Sequence, residues 1–129
     1  MDIIIHDGRA IEEIQQEFAK EYPNLKVEFF AEARHRNPMP HPLHPALLMH
    51  PRKLIKECRQ SHAKGMLSIH PGMAIEEVEE GFWNAFGLHA RIYHKVGADW
   101  LEPATRHWSL EKQNVTSLES NAESTLERI

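Results

Sequence analysis

The chain has 129 residues, which suits one domain with some residues left for a long loop or a tail. Its formal net charge of −4 argues against broad electrostatic binding of nucleic acid, and no apolar stretch approaches the roughly 18 residues that a membrane span needs. The single cysteine, Cys58, excludes an intramolecular disulfide and suits a reducing compartment, so we expect a cytoplasmic protein.

Residues 2–30 are predicted to fold as strand, helix and strand. Asp2–His6 is a short β-rich run. Apolar residues then recur at steps of three and four, which is the spacing of an amphipathic helix: Ile11, Ile14, Phe18 and Tyr22. Pro23 ends this helix, and Leu25, Val27 and Phe29 then alternate with polar residues, as the residues of a half-buried strand do.

Residues 31–64 are predicted to be a Pro/His-rich insertion. Five of the eight prolines lie between Pro38 and Pro51, and proline both fixes φ and lacks an N–H donor. We therefore expect a mobile or polyproline-like excursion at 31–51. A helix is predicted over Arg52–His62, with Ile55, Cys58 and His62 on one side.

Residues 65–95 repeat the first segment. Aligning Ile5–Tyr22 with Ile69–Phe86 gives eight identities in eighteen positions, and the helical stripe returns as Ile75, Val78, Phe82 and Phe86. Two strand–helix–strand units predict an α+β fold of the ferredoxin-like sandwich type, with one four-stranded antiparallel sheet and two helices on one face.

The C-terminal part, residues 96–119, is predicted to extend this single domain of residues 1–119. A turn around Gly97 leads into a short strand at Trp100, which would form a hairpin with the preceding strand. Ser109 is placed to cap a final helix that runs through Leu118. Residues 120–129 are expected to be a disordered tail.

A family resemblance lies in residues 86–114. The run Trp100-Leu-Glu-Pro-Ala-Thr-Arg-His-Trp-Ser-Leu-Glu-Lys-Gln-Asn114, which follows Phe86-Gly-Leu, resembles the end of some small bacterial proteins without an assigned activity. The resemblance implies a bacterial, cytoplasmic origin. It implies nothing about mechanism, because the shared motif is apolar and turn-like rather than catalytic.

The sheet face away from the helices is the predicted binding face. The strand pattern places five aromatic or cationic side chains there: Phe30, Lys26, His89, Arg91 and Tyr93. With Ile4, Phe30 and Tyr93 this face is too apolar to stay in contact with water, so the 31–62 excursion, the C-terminal segment of Trp100 and Trp108, or a second copy of the chain should cover it. We expect a homodimer, as is common for sheets of this architecture. RNA binding is disfavoured because no aromatic residue falls on the two strands predicted to be central, where base-stacking platforms lie.

The ten histidines suggest a second possibility. His41, His44 and His50 are spaced H-x2-H-x5-H, and neutral imidazole nitrogens bind zinc or nickel. The alternative is a solvated loop that is rich in histidine and binds no metal. No cofactor is otherwise predicted.

The sequence predicts no specific chemistry. We expect a small interaction or ligand-binding module that self-associates, and we lean against an enzyme because no nucleophile, paired-carboxylate or nucleotide motif is present. One alternative is a small enzyme that uses a histidine such as His89, His94 or His107 as acid or base near the Pro/His-rich loop. The other is histidine-mediated binding of a divalent metal.

Overall fold

The strand–helix–strand order expected for both segments is present. The computed structural model describes residues 1–31 and 47–117. Its elements are β1 (Asp2–Ile5), α1 (Ile11–Glu21), β2 (Leu25–Phe30), α2 (Ile55–Cys58), β3 (Gly65–Ser68), α3 (Ile75–Phe86), β4 (His89–Val96), β5 (Asp99–Leu101) and α4 (residues 110–117). The fold is therefore α+β, as predicted.

The strands do not form the single four-stranded sheet that we expected. Within the described residues, β1 pairs with β3 in one antiparallel sheet, and β2, β4 and β5 form another, in that order. Each sheet therefore combines strands from both segments. The ferredoxin-like arrangement is not what these pairings give.

The pairing registers are symmetric between the two segments. Ile3 pairs with Leu67, 64 positions later, which is the offset of the alignment; Glu28 pairs with Arg91, 63 positions later, so the correspondence is shifted by one residue after the helices. Both sheets therefore pair a strand of residues 2–30 with the corresponding strand of residues 65–95.

The β2–β4 pair leaves few backbone groups available for β1 or β3. In an antiparallel ladder every second residue points its N–H and C=O outward. The Gln15 amide donates to the outward C=O of Val27 at 2.8 Å, and the Glu79 carboxylate accepts the outward N–H of Ile92 at 2.8 Å. The Met49 N–H donates to the Phe29 C=O at 2.9 Å. These bonds occupy outward groups of Val27, Phe29 and Ile92, so at these positions β2 and β4 do not pair with β1 or β3.

The hydrogen bond between Met49 and Phe29 also corrects the prediction for the insertion. Leu48 forms an antiparallel bridge with Phe30, so residues 47–49 lie along the edge of β2 rather than in a polyproline-like excursion. The predicted helix over Arg52–His62 is only one turn, Ile55–Cys58, because Arg59 already has an extended backbone with φ −145° and ψ 164°. The remainder of the excursion, 32–46, lies outside the described residues.

Helices α1 and α2 cap each other's N-termini. The first amide of each helix donates to the turn that precedes the other: Ile11 to Lys53 at 2.9 Å, and Ile55 to Arg9 at 2.8 Å. The same arrangement joins α3 and α4: Ile75 donates to Trp108 at 3.1 Å, and Leu110 donates to Met73 at 2.9 Å. These bonds satisfy amides that a helix leaves without intrahelical partners, so residues such as Ala10 and Ala74 serve as N-caps without a side-chain bond.

The two predicted helical stripes lie in one core. All six leading residues of the stripes are fully buried: Ile11, Ile14, Phe18, Ile75, Val78 and Phe82. Phe29 of β2 meets Phe82 edge to face at 5.2 Å between ring centroids, which joins the segments inside the core. Each such side chain contributes on the order of 2 kcal/mol through the apolar surface that it buries.

The C-terminal extension follows its prediction. Gly97 has φ 63° in the turn of the β4–β5 hairpin, a conformation that favours glycine. The Ser109 hydroxyl accepts the Lys112 N–H at 3.1 Å, which is an N-cap bond for α4. That helix is described as far as residue 117, so the predicted end at Leu118 and the tail at 120–129 lie outside the described residues. Within the described part, none of the helices is both long and apolar enough to span a membrane.

Candidate functional site

The register brings the five residues of the predicted binding face together. Lys26 pairs with Tyr93, and Phe30 pairs with His89, with Arg91 between the two pairs on the same face. Phe30, His89 and Arg91 are however buried, with exposed fractions of 5%, 1% and 3%. Only the end of the face that carries Lys26 and Tyr93 is open to solvent. The binding role itself stays a prediction.

Specific neighbours help to bury the closed end of this face. The Trp83 indole stacks on the His89 ring at 4.4 Å and 25°. The Arg91 guanidinium lies 3.7 Å from the Glu102 carboxylate, and Arg106 contacts both Glu102 and the buried Glu79. Burial lowers the pKa of Arg91, because removal from water disfavours its charge, while Glu102 partly offsets that effect. The end of the face that carries His89 and Arg91 is therefore packed against its neighbours and includes a network of ion pairs.

Two clefts flank the open end of the face. The smaller has a volume of ≈ 220 Å³ and is lined by Lys26, Glu28, Leu48, Tyr93 and Trp100. The larger, ≈ 410 Å³, runs along α1 and the edge of β2 and shares Lys26 and Trp100 with the smaller one. The polar residues of its α1 wall are Glu12, Gln15 and Gln16. Clefts of this size hold small ligands or single side chains.

The β1–β3 sheet carries a second exposed surface, which is apolar. Ile4 and Met66 pair across the strands and are 49% and 53% exposed. They border a concavity of ≈ 500 Å³ that Ile5, His6, Lys64 and Gly65 complete. Ile4 and Met66 therefore form a small exposed apolar patch on this sheet.

The two outer edges of this sheet differ. The Met1 and Ile69 backbones exchange two hydrogen bonds, at 2.6 and 2.8 Å, so the outward groups belong to Asp2 and Ile4 on β1 and to Met66 and Ser68 on β3. The Arg9 guanidinium covers the β1 edge by donating to the Ile4 C=O at 2.9 Å. Met73 stands in the place of Arg9 in the second segment. No group in the described part of the chain bonds the outward backbone of β3.

A polar cluster that the sequence did not reveal joins Asp7, Arg59 and His62. One Asp7 oxygen accepts from the Arg59 guanidinium at 3.0 Å, and the other lies 2.6 Å from His62 Nδ1. The hydrogen bonds from His62 and Arg59 lower the pKa of Asp7. Arg59 also donates to the Phe86 C=O at 2.8 Å, so the cluster ties three chain segments together. No sequence signal identified the Asp7–His62 pair, because its members lie 55 positions apart.

Of the three histidines in the predicted metal site, only His50 belongs to the described residues. His41 and His44 lie outside the described residues, and His50 is exposed, with its Nδ1 accepting the Arg52 N–H at 3.1 Å. Within residues 1–31 and 47–117, no group of three or more potential ligands could hold a metal ion. The metal site at His41, His44 and His50 therefore stays a prediction.

The three acid–base candidates have different surroundings. His89 is buried beneath Trp83, His107 is exposed, and His94 Nδ1 lies 3.1 Å from the Ser117 hydroxyl. Burial lowers the pKa of His94, and burial raises the pKa of the Cys58 thiol to about 12, which makes it a poor nucleophile. None of the three concavities described above is lined by these histidines.

Comparison with known proteins gives no match for this chain among protein-family models, curated proteins or solved structures.

Proposed function

We propose that this protein is a small binding module that forms a homodimer through the open edge of β3. The observation that carries the proposal is the difference between the two edges of the β1–β3 sheet. Arg9 occupies the outward C=O of Ile4 on the β1 edge, whereas the outward N–H and C=O groups of Met66 and Ser68 have no partner in the described residues. An open strand edge is a template for pairing with another strand.

Two copies of β3 fit each other across a twofold axis. An antiparallel β3–β3 pair centred on Met66 would join the two sheets into one of four strands, and the contact would be self-complementary, as a twofold dimer requires. In that register Lys64 of one copy approaches Ser68 of the other. The Asp2 carboxylate accepts from the Ser68 hydroxyl at 2.9 Å, so a lysine of one copy would meet an aspartate of the other.

The apolar pair beside this edge supports the same contact. Ile4 and Met66 are half exposed in a single chain, and a second sheet alongside β3 would cover Met66 and bring the two Ile4–Met66 pairs together. Burial of such side chains is favourable by roughly 25 cal/mol for each Å² removed from water. This mechanism needs no residue from the buried part of the β2–β4 face.

Substituting Met66 tests this contact. Wild-type protein is expected to show twice the chain mass of 15.0 kDa in multi-angle light scattering. Met66→Lys places a charge at the centre of the proposed interface, next to its copy across the twofold axis, and is expected to give the monomer mass. The dissociation constant should rise by at least about tenfold, since burying an unpaired charge costs more than 1.4 kcal/mol.

Leu101→Lys is the matched control. Leu101 lies on β5 and is 49% exposed, close to the 53% of Met66, so the two variants change a similar surface property at different edges. The control is expected to remain dimeric. A monomeric wild type, or a dimer that persists in Met66→Lys and dissociates in Leu101→Lys, would refute the β3 contact.

A further inference from the structure

A lysine ammonium lies between an indole and a carboxylate at the border of the two clefts. Lys26 Nζ is 5.7 Å from the centroid of the Trp100 ring and 2.8 Å from Glu28 Oε1. The Gln15 amide, 3.3 Å from the second oxygen of Glu28, helps to orient that carboxylate. A cation in such a position is attracted by both the negative face of the ring and the carboxylate charge. The local chemistry therefore suits a monovalent organic cation.

The space and the charge around the Lys26 ammonium also favour the binding of a cation from solution. Both clefts reach Trp100, which is 36% exposed, so a ligand can approach the indole beside Lys26. The charged residues that line the clefts are Glu12, Glu28 and Lys26, with a net charge of −1. Binding of a monovalent cation would bring the net charge of these three residues and the ligand to zero, whereas binding of a monovalent anion would double the negative net charge.

We propose that Trp100 and Glu28 form a recognition site for an organic ammonium or guanidinium group, and that Lys26 occupies this site in the free protein. Lys26 then acts as an internal competitor, because its short tether keeps its effective concentration near the site high. A ligand must displace the lysine ammonium from the ring and from Glu28. Removal of the Lys26 charge should consequently strengthen binding of the cation. At a site for an anion, removal of the same charge would weaken binding.

Tetramethylammonium chloride is the probe for this site. Nuclear magnetic resonance of the three tryptophan indole N–H groups, assigned with single Trp→Phe variants, reports on each ring separately. The Trp100 signal is expected to shift saturably in wild-type protein. In Lys26→Gln the dissociation constant should fall by a factor on the order of ten, because an ion pair and a cation–π contact no longer compete. Glu28→Gln should weaken binding about tenfold.

Trp108 provides the matched control. Lys112 Nζ lies 4.2 Å from its ring centroid, but Trp108 lines neither cleft. Lys112→Gln is expected to leave tetramethylammonium binding unchanged. Equal dissociation constants for wild type and Lys26→Gln would overturn the proposal, as would an equal response to potassium chloride or a Trp108 shift as large as that of Trp100. N-acetylarginine amide, which stands for a basic peptide, is titrated in parallel with tetramethylammonium, which stands for a small amine. The probe with the lower dissociation constant indicates which of the two classes of cation the site prefers.

Discussion

Asp7 shows how one residue joins parts of this chain that are distant in sequence. Its carboxylate contacts Arg59, whose side chain is fully buried, and His62, which is 75% exposed. Arg59 in turn bonds the end of α3 through Phe86. Because the charge of Asp7 faces that of a buried guanidinium, the carboxylate stabilises the fold only while it is ionised.

Asp7→Asn should therefore lower the melting temperature in a pH-dependent way. The pKa of Asp7 is lowered in the folded state from its ordinary value of 3.8, so its stabilisation is complete above that value and is lost as the pH falls through the lowered folded pKa. The difference in Tm between wild type and variant should be largest near neutral pH and should shrink below about pH 4. Thermal unfolding followed by circular dichroism measures it.

Asp99→Asn, which removes an exposed carboxylate from β5, serves as the control for this experiment. Its Tm should match that of wild type across the same range. A Tm difference for Asp7→Asn that stayed constant from neutral to acidic pH would show that the carboxylate charge is not what stabilises this cluster.

At the scale of elements, two side chains at equivalent positions on α1 and α3 form hydrogen bonds with outward backbone groups of the β2–β4–β5 sheet. Gln15 occupies the outward carbonyl of Val27, and Glu79 occupies the outward amide of Ile92. Glu79 is 1% exposed and is also paired with Arg106. A buried carboxylate that satisfies both an amide and a guanidinium should matter more than an exposed polar contact.

Substituting each of these two residues by alanine tests this ranking. Glu79→Ala leaves the Ile92 amide without its partner and Arg106 with only the more distant Glu102 carboxylate, and is expected to reduce the free energy of unfolding by about 3 kcal/mol. Gln15→Ala removes only a neutral donor at a partly buried edge, and should cost about 1 kcal/mol. Urea denaturation gives both values. A smaller loss for Glu79→Ala than for Gln15→Ala would contradict the role assigned to the carboxylate.

At the scale of the whole molecule, the sequence predicted what local spacing controls. Ile11, Ile14 and Phe18 indicated a helix because steps of three and four residues bring side chains to one face of a helix. Ser109 indicated the start of α4 because a serine hydroxyl can accept a hydrogen bond from an amide in the first turn. Strand pairing was not predictable, because neither the backbone ladders between distant segments nor the bonds of Gln15 and Glu79 to the sheet edges leave a signal in the linear sequence. The burial of His89 beneath Trp83 was not predicted, because strand alternation indicates on which face of the sheet a side chain lies but not what packs over that face.

The central claim, that β3 pairs with its copy, is tested most directly by amide hydrogen exchange at different protein concentrations. The outward amides of Met66 and Ser68 should become protected as dimer forms, while the outward amide of Ile4, on the Arg9-covered edge, should not change with concentration. Exchange at Met66 and Ser68 that is equally fast at every concentration would contradict the account.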